Sequence, residues 1–297
     1  MSEMFDDINK IIENNITDTD LVNFCVIIGS NPSQGARSPI LWNKVFSAEK
    51  KKVKMLPLDV KPENVGHLFY CLQEHPQCLG GAVAVPYKEK IFDLTKKHLS
   101  KEVSSIGAIN CFFRKDTSLK SAFMGTNTDG EAALDPILQI LDTKEKMNIA
   151  LMGIGGAGKA VLAFLHKKFG AKHKIHIFNR TSRIDFKNKE IVISKITYFE
   201  NSISDFDLII NATSAGSSTD LDSTPFNLNL LKYSKPSCLV YDIIYDPLKT
   251  SLLNQAEERG LATINGLKMN LIQAVLAYKY TSKTSLTLQE IYETMNN

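Results

Sequence analysis

The stretch Ile149-Ala150-Leu151-Met152-Gly153-Ile154-Gly155-Gly156-Ala157-Gly158 decides how this chain is read. Four apolar residues of strand character run into a G-x-G-x-x-G turn, and an apolar helical segment, Ala157 to Phe169, follows before Gly170 ends it. Strand before and helix after are the context that a dinucleotide-binding fingerprint requires. Glycines at these places let the backbone turn tightly, approach a pyrophosphate and pack helix against strand, while the unpaired N–H groups at the helix start receive negative charge. A glycine-rich turn that merely packs is the competing reading. Gly153, Gly155, Gly156, Ala157 and Gly158 are therefore candidate cofactor contacts. The same oily stretch carries Lys159 and four glycines, which argues against a bilayer span.

The next strand, Ile175 to Phe178, ends in Asn179-Arg180-Thr181-Ser182-Arg183. An NAD site usually places an acidic residue there for the ribose 2′-hydroxyl. Two guanidinium groups and two hydroxyls instead suit the extra 2′-phosphate of NADP. Further strands are expected at Leu208 to Ala212 and at Leu239 to Ile244, and Thr213 is a further candidate cofactor contact.

Upstream, strands are expected at Phe24 to Ile28, Val53 to Leu58, Ala82 to Val85 and Ile109 to Phe113. Proline-opened helices fit between them at Pro39 to Ala48, Pro62 to Gln73 and Pro86 to Lys97. Apolar strand-length runs alternating with helical segments predict an α/β fold with mainly parallel sheets. The final helix, Met269 to Tyr280, is expected to return to the first half. Two domains follow: residues 1–130 with 268–297, and residues 131–267, with a cleft between them.

Three polar segments stand where strands give way to helices in the first half: Gly35 to Pro39, Val83 to Lys88 and Asn127 to Gly130. Strand ends of a parallel sheet open on one edge, so these segments can converge, with Lys88 facing Asp129. Ser38 before Pro39 and Asp129 before Gly130 also read as helix caps. Lys88 resists such a reading, because a cation in a first turn opposes the helix dipole by about 0.3–1 kcal/mol.

Composition sets the outer limits. The 297 residues hold 35 Lys and Arg against 32 Asp and Glu, a formal charge of +3, and 43% of residues are apolar. This is a globular composition with scattered lysines, so no nucleic-acid or membrane partner is expected. The five cysteines lack metal-ligand or redox spacing, so no metal is expected and a cytoplasmic location fits. The acidic start carries no secretory pattern.

The motifs also occur in a telling order: Arg37-Ser38-Pro39, Val85-Pro86-Tyr87-Lys88-Glu89, Ile106 to Asn110, Asn127 to Gly130, the glycine-rich turn with Asn179-Arg180-Thr181, Asn211 to Gly216, Tyr241 to Pro247, Asn265-Gly266-Leu267 and Met269 to Ala274. In this order the chain resembles the shikimate dehydrogenase family over nearly its whole length. The resemblance implies an N-terminal α/β substrate domain, a Rossmann-type NADP(H) domain, and reversible reduction of 3-dehydroshikimate to shikimate on the route to aromatic amino acids. It implies Lys88 and Asp129 as the catalytic pair, and Ser38, Asn110, Tyr245 and Gln273 as contacts to a small ring acid. None of the six histidines falls in a matched motif. The chain departs from the family pattern at Ala36, Ala82 and Ala84, where the family carries a serine, an asparagine and a threonine. A different ring acid or polyol, such as quinate or an amino analogue, therefore stands as an alternative substrate, and a silent NADP-binding regulator as an alternative function. Either a monomer or a homodimer fits.

The cofactor expectation is open to direct test. Turnover with NADP should exceed turnover with NAD, and Arg180→Ala should raise the KM for NADP with little change in kcat. Equal or better turnover with NAD overturns it.

Overall fold

Strand β1 (Asn23–Gly29) is buried on both faces from Phe24 to Gly29, as a nearly unbroken apolar run in a parallel sheet must be. Its odd and even residues serve two cores. Phe24, Val26 and Ile28 pack on one side with Leu68, Phe69 and Leu72, while Cys25 and Ile27 pack on the other with Trp42, Phe46 and Tyr278. The computed structural model describes residues 5–17, 20–96, 99, 101–115, 122–141, 146–169, 172–179, 191–194 and 196–297.

Along the chain, α1 (Asp6–Asn9) and β1 precede α2 (Arg37–Ala48), β2 (Val53–Asp59), α3 (Val65–Glu74) and β3 (Cys78–Val83). Then come α4 (Lys88–Thr95), α5 (Lys101–Ile106), β4 (Cys111–Arg114), β5 (Phe123–Thr126) and α6 (Asp129–Ile140). The glycine-rich segment supplies β6 (Asn148–Met152), α7 (Gly156–Phe169), β7 (Lys174–Phe178) and β8 (Ile191–Ser194). The remainder is α8 (Ile196–Ser202), β9 (Leu208–Asn211), β10 (Leu239–Asp242), α9 (Ser251–Glu258), β11 (Ala262–Ile264), α10 (Leu267–Ser282) and α11 (Leu288–Asn296).

The chain divides into two units, Met1–Thr128 with Leu271–Asn297, and Asp129–Asn270. Asp129 thus opens the second unit rather than closing the first. The first unit has a sheet of order β2-β1-β3-β4-β5, parallel through β3 and antiparallel across β3/β4 and β4/β5. The second has a fully parallel sheet of order β11-β10-β9-β6-β7-β8. Among the described residues no helix is long and apolar enough to cross a membrane.

Several expected boundaries shift. Strand β3 starts at Cys78 instead of Ala82, because Gly80 and Gly81 hide its first half from a propensity reading. A Cβ on Gly81 would fall 1.8 Å from the Val26 carbonyl oxygen, so only glycine admits the neighbouring strand so closely. The short strands β5, β8 and β11 escape the sequence reading. Pro39 is the third residue of α2, Pro62 opens a separate 3-10 turn before α3, and Pro86 precedes α4 in a cis peptide bond.

Helix α10 from Leu271 onward belongs to the first unit and is fixed there by Trp42, whose Nε1 donates to Ala274 O at 3.1 Å. Glu49, at the C-terminal end of α2, adds a polar clamp: Oε2 accepts from Tyr278 Oη and Oε1 from Thr284 Oγ1, each at 2.5 Å. Lys51 Nζ stands 3.0 Å from Oε1. Burial acts to raise the Glu49 pKa, but the bonds from Thr284, Tyr278 and Lys51 hold it below the ordinary glutamate value. A carboxyl lowered on folding stabilises the protein fully above its unfolded pKa, about 4.3, and that stabilisation is lost as pH falls through the folded value. Glu49→Gln should therefore cost about 1–3 kcal/mol at neutral pH and remove part of the acid sensitivity seen in melts from pH 7 to pH 3. A variant whose melting temperature tracks the parent throughout contradicts the clamp.

Candidate active site

Strand β4 is preceded by Asn110, whose side chain is 2% exposed, and β5 runs into Asn127 and Thr128, which are also buried. Asn110 Nδ2 donates to Thr128 Oγ1 at 2.8 Å and to Gln273 Oε1 at 3.2 Å, while its Oδ1 accepts from Thr128 N at 2.8 Å. Thr128 Oγ1 in turn donates to the main-chain oxygen of Gln273 at 3.1 Å. Two strand ends and α10 are thereby joined by side-chain amides. The structure brings Asn110 and the half-buried Gln273 together.

Lys88 is half-buried and stands first in α4, at the positive end of the helix dipole. Its carbonyl accepts from Ile109 N at 3.0 Å, one residue before Asn110. Tyr87, just before it, is buried, and its hydroxyl donates to Val60 O at 2.6 Å. Lys88 is thus held from both directions along the chain. Asp129 follows Thr128 directly, is 3% exposed, and is the first residue of α6. A carboxylate in that first turn is favoured by the helix dipole.

The capping explanation does not survive for Ser38. The N-cap of α2 is Ala36, in extended conformation and without a side-chain cap, so Ser38 already lies in the first turn, 6% exposed. Ser33, in the preceding loop, is committed to Asp59: its N donates to Oδ1 at 2.9 Å and its hydroxyl to Oδ2. It therefore has no proton to offer in place of the serine that Ala36 lacks.

In the second unit the glycine turn has the geometry of its motif. Gly153 has φ +86°, where L side chains are strained, and its N donates to Phe178 O at 2.8 Å. A Cβ on Gly158 would meet the Gly153 carbonyl oxygen at 2.3 Å, which brings α7 against the turn. Gly155 is exposed, and among the described residues nothing beyond its own chain neighbours comes within 4 Å of where a Cβ would stand. Gly156 and Ala157 open α7. The turn thus leaves its open side for a ligand and points helix N–H groups at it, so these residues fit a dinucleotide pyrophosphate. Strand β6 has β9 on one side and β7 on the other, so the turn lies at the switch point of the sheet.

Asn179 is half-buried at the end of β7. Arg180, Thr181 and Arg183 lie outside the described residues. Thr213 stands beside the turn, with its methyl carbon 2.7 Å from where a Cβ on Gly153 would be. Tyr245 is half-buried in the loop after β10.

Sequence reading included Thr128, Asn211 and Asp242 in its motifs but assigned none of them a role. Asn211 and Asp242 end adjacent strands in register and both are fully buried. Burial pushes the Asp242 carboxyl up, while bonds from Thr250, Ile244 N and Asn211 oppose that. The available signal was a polar residue closing each apolar run at the same level of the sheet.

The fold and the turn define a two-unit α/β protein of the dinucleotide-binding class. The sequence profile of the shikimate dehydrogenase substrate binding domain matches residues 27–112. The NADP(+) shikimate dehydrogenase of Staphylococcus epidermidis is 35% identical over 261 residues, covering 87% of this chain and 91% of that protein. That of Streptococcus pneumoniae is 26% identical over 278 residues, covering 90% and 94%. A crystal structure of a shikimate dehydrogenase in complex with NADP+ shares the fold at TM-score 0.75 and 24% identity, covering 96% of this chain and 98% of that one. The chain belongs to the shikimate dehydrogenase family.

Proposed function

We propose that the protein is an NADP-dependent shikimate dehydrogenase, interconverting 3-dehydroshikimate and shikimate, with Lys88 and Asp129 as its catalytic pair. Family membership gives the reaction, and the observation that supports the site is the Asn110–Thr128–Gln273 cluster, tied through Ile109 to Lys88 and through the chain to Asp129.

In this reading the first unit takes the ring acid and the second the cofactor. NADPH, when bound, supplies the hydride. Gly153, Gly155, Gly156, Ala157 and Gly158 would hold its pyrophosphate, Thr213 and Asn179 would flank it, and Arg180, Thr181 and Arg183 would face its 2′-phosphate. Reduction of a ketone builds negative charge on oxygen, which the Lys88 ammonium neutralises and then quenches by giving up a proton. Asp129 orients that ammonium and the substrate hydroxyl. Asn110 and Gln273 hold ring hydroxyls, with Ser38 toward the carboxylate and Tyr245 lining the pocket.

A second ring acid is favoured by one observation: Ala36 caps α2 without a hydroxyl, and Ser33 is already bonded to Asp59. A panel of shikimate, quinate and an amino analogue, followed by NADPH absorbance, separates the two. Shikimate should be turned over most efficiently. Lys88→Ala should lower kcat by about 10²–10⁴ with folding unchanged, and Asp129→Ala should also collapse kcat. Full rate in the Lys88 variant refutes the mechanism.

A further inference from the structure

In the second unit a buried polar relay runs from α9 to the glycine turn. Asp242 accepts three hydrogen bonds: from Thr250 Oγ1 at 2.7 Å, and from Ile244 N and Asn211 Nδ2 at 3.1 Å each. Thr250, the N-cap of α9, accepts in turn from Leu253 N. Its proton is therefore the one given to Asp242, and all three neighbours act as donors, as an ionised carboxylate requires.

Asn211 is the next link. Its Nδ2 donates to Asp242 and to Ala215 O at 3.2 Å, and its Oδ1 accepts from Thr213 N at 3.0 Å and Thr213 Oγ1 at 2.7 Å. Two donors and two acceptor positions are all a side-chain amide has. Acceptor-only groups on one side and the Thr213 N–H on the other leave a single orientation. The Thr213 hydroxyl must then spend its proton on Asn211, and it accepts from Ala215 N at 3.1 Å. One lone pair remains. Whatever meets this hydroxyl therefore meets an acceptor, while the methyl carbon of the same side chain packs on Gly153.

Sheet order says which part of the ligand meets it. In a dinucleotide fold the end of the second strand takes the adenosine ribose, and here that strand is β7. Thr213 follows β9, on the opposite side of β6. The half of a bound dinucleotide carrying the nicotinamide would pass there, and its ribose hydroxyls and carboxamide NH₂ are donors.

We propose that Asn211, locked from behind by Asp242, is a positioning residue that presents the Thr213 hydroxyl as an acceptor to the nicotinamide half of NADP(H). The proposal rests on the NADP reading above. It assigns work to two residues that touch no ligand.

The test is fluorescence titration with NADPH, alongside competition by 2′-phospho-ADP-ribose, which lacks the nicotinamide. Asn211→Leu and Thr213→Val should each raise the Kd for NADPH about tenfold while leaving the fragment within about twofold. The double variant should be no weaker than the worse single variant, and Thr213→Ser should restore parental affinity. Should Asn211→Leu fail to fold, the Val and Ser variants at Thr213 still decide, through selective loss and its rescue. Equal weakening of both ligands, no weakening, or multiplied losses in the double variant overturns the proposal. A parent protein that fails to bind NADPH removes the NADP reading itself, and the proposal with it.

Discussion

One buried amide organises the first unit. Asn110 has to satisfy both ends of a carboxamide away from water, where an unmade bond costs about 1–3 kcal/mol. It does so by joining Thr128 at the end of β5 to Gln273 on α10. Because that solution needs residues far apart in sequence, the return of α10 to the first unit is part of building the site. Trp42 and Glu49 hold the same helix from the other side, through Ala274 and Tyr278.

The second unit solves a similar problem with different chemistry. Its parallel strands end in polar residues, Asn211 and Asp242, that neither face water nor stand unpaired. Their bonds join the loops after β9 and β10 to α9 and to Thr213, whose methyl carbon packs beside the first glycine of the turn. The glycines give room for a ligand, and the amide and carboxylate behind them settle which way the surrounding hydroxyl points.

Much of this was legible beforehand. The α/β alternation, the turn in its strand and helix context, and the roster of polar segments follow from apolar periodicity and from residue types with narrow uses. What was hidden has physical causes. Gly80 and Gly81 carry no strand propensity, yet close strand contact demands them, so β3 was placed too late. Ser38 before a proline imitates a cap, but the helix begins one residue earlier at Arg37. Thr128, Asn211 and Asp242 act only through partners that the fold supplies, and a linear pattern does not reveal such pairing.

The account stands most directly on Asn110 as the organiser of ring-acid binding. Calorimetric titration of shikimate into the parent protein and into Asn110→Leu, both without cofactor so that no turnover occurs, tests it. The account predicts saturable binding heat for the parent and at least about a tenfold loss of affinity in the variant, with circular dichroism unchanged. Equal affinity in the two proteins would contradict it.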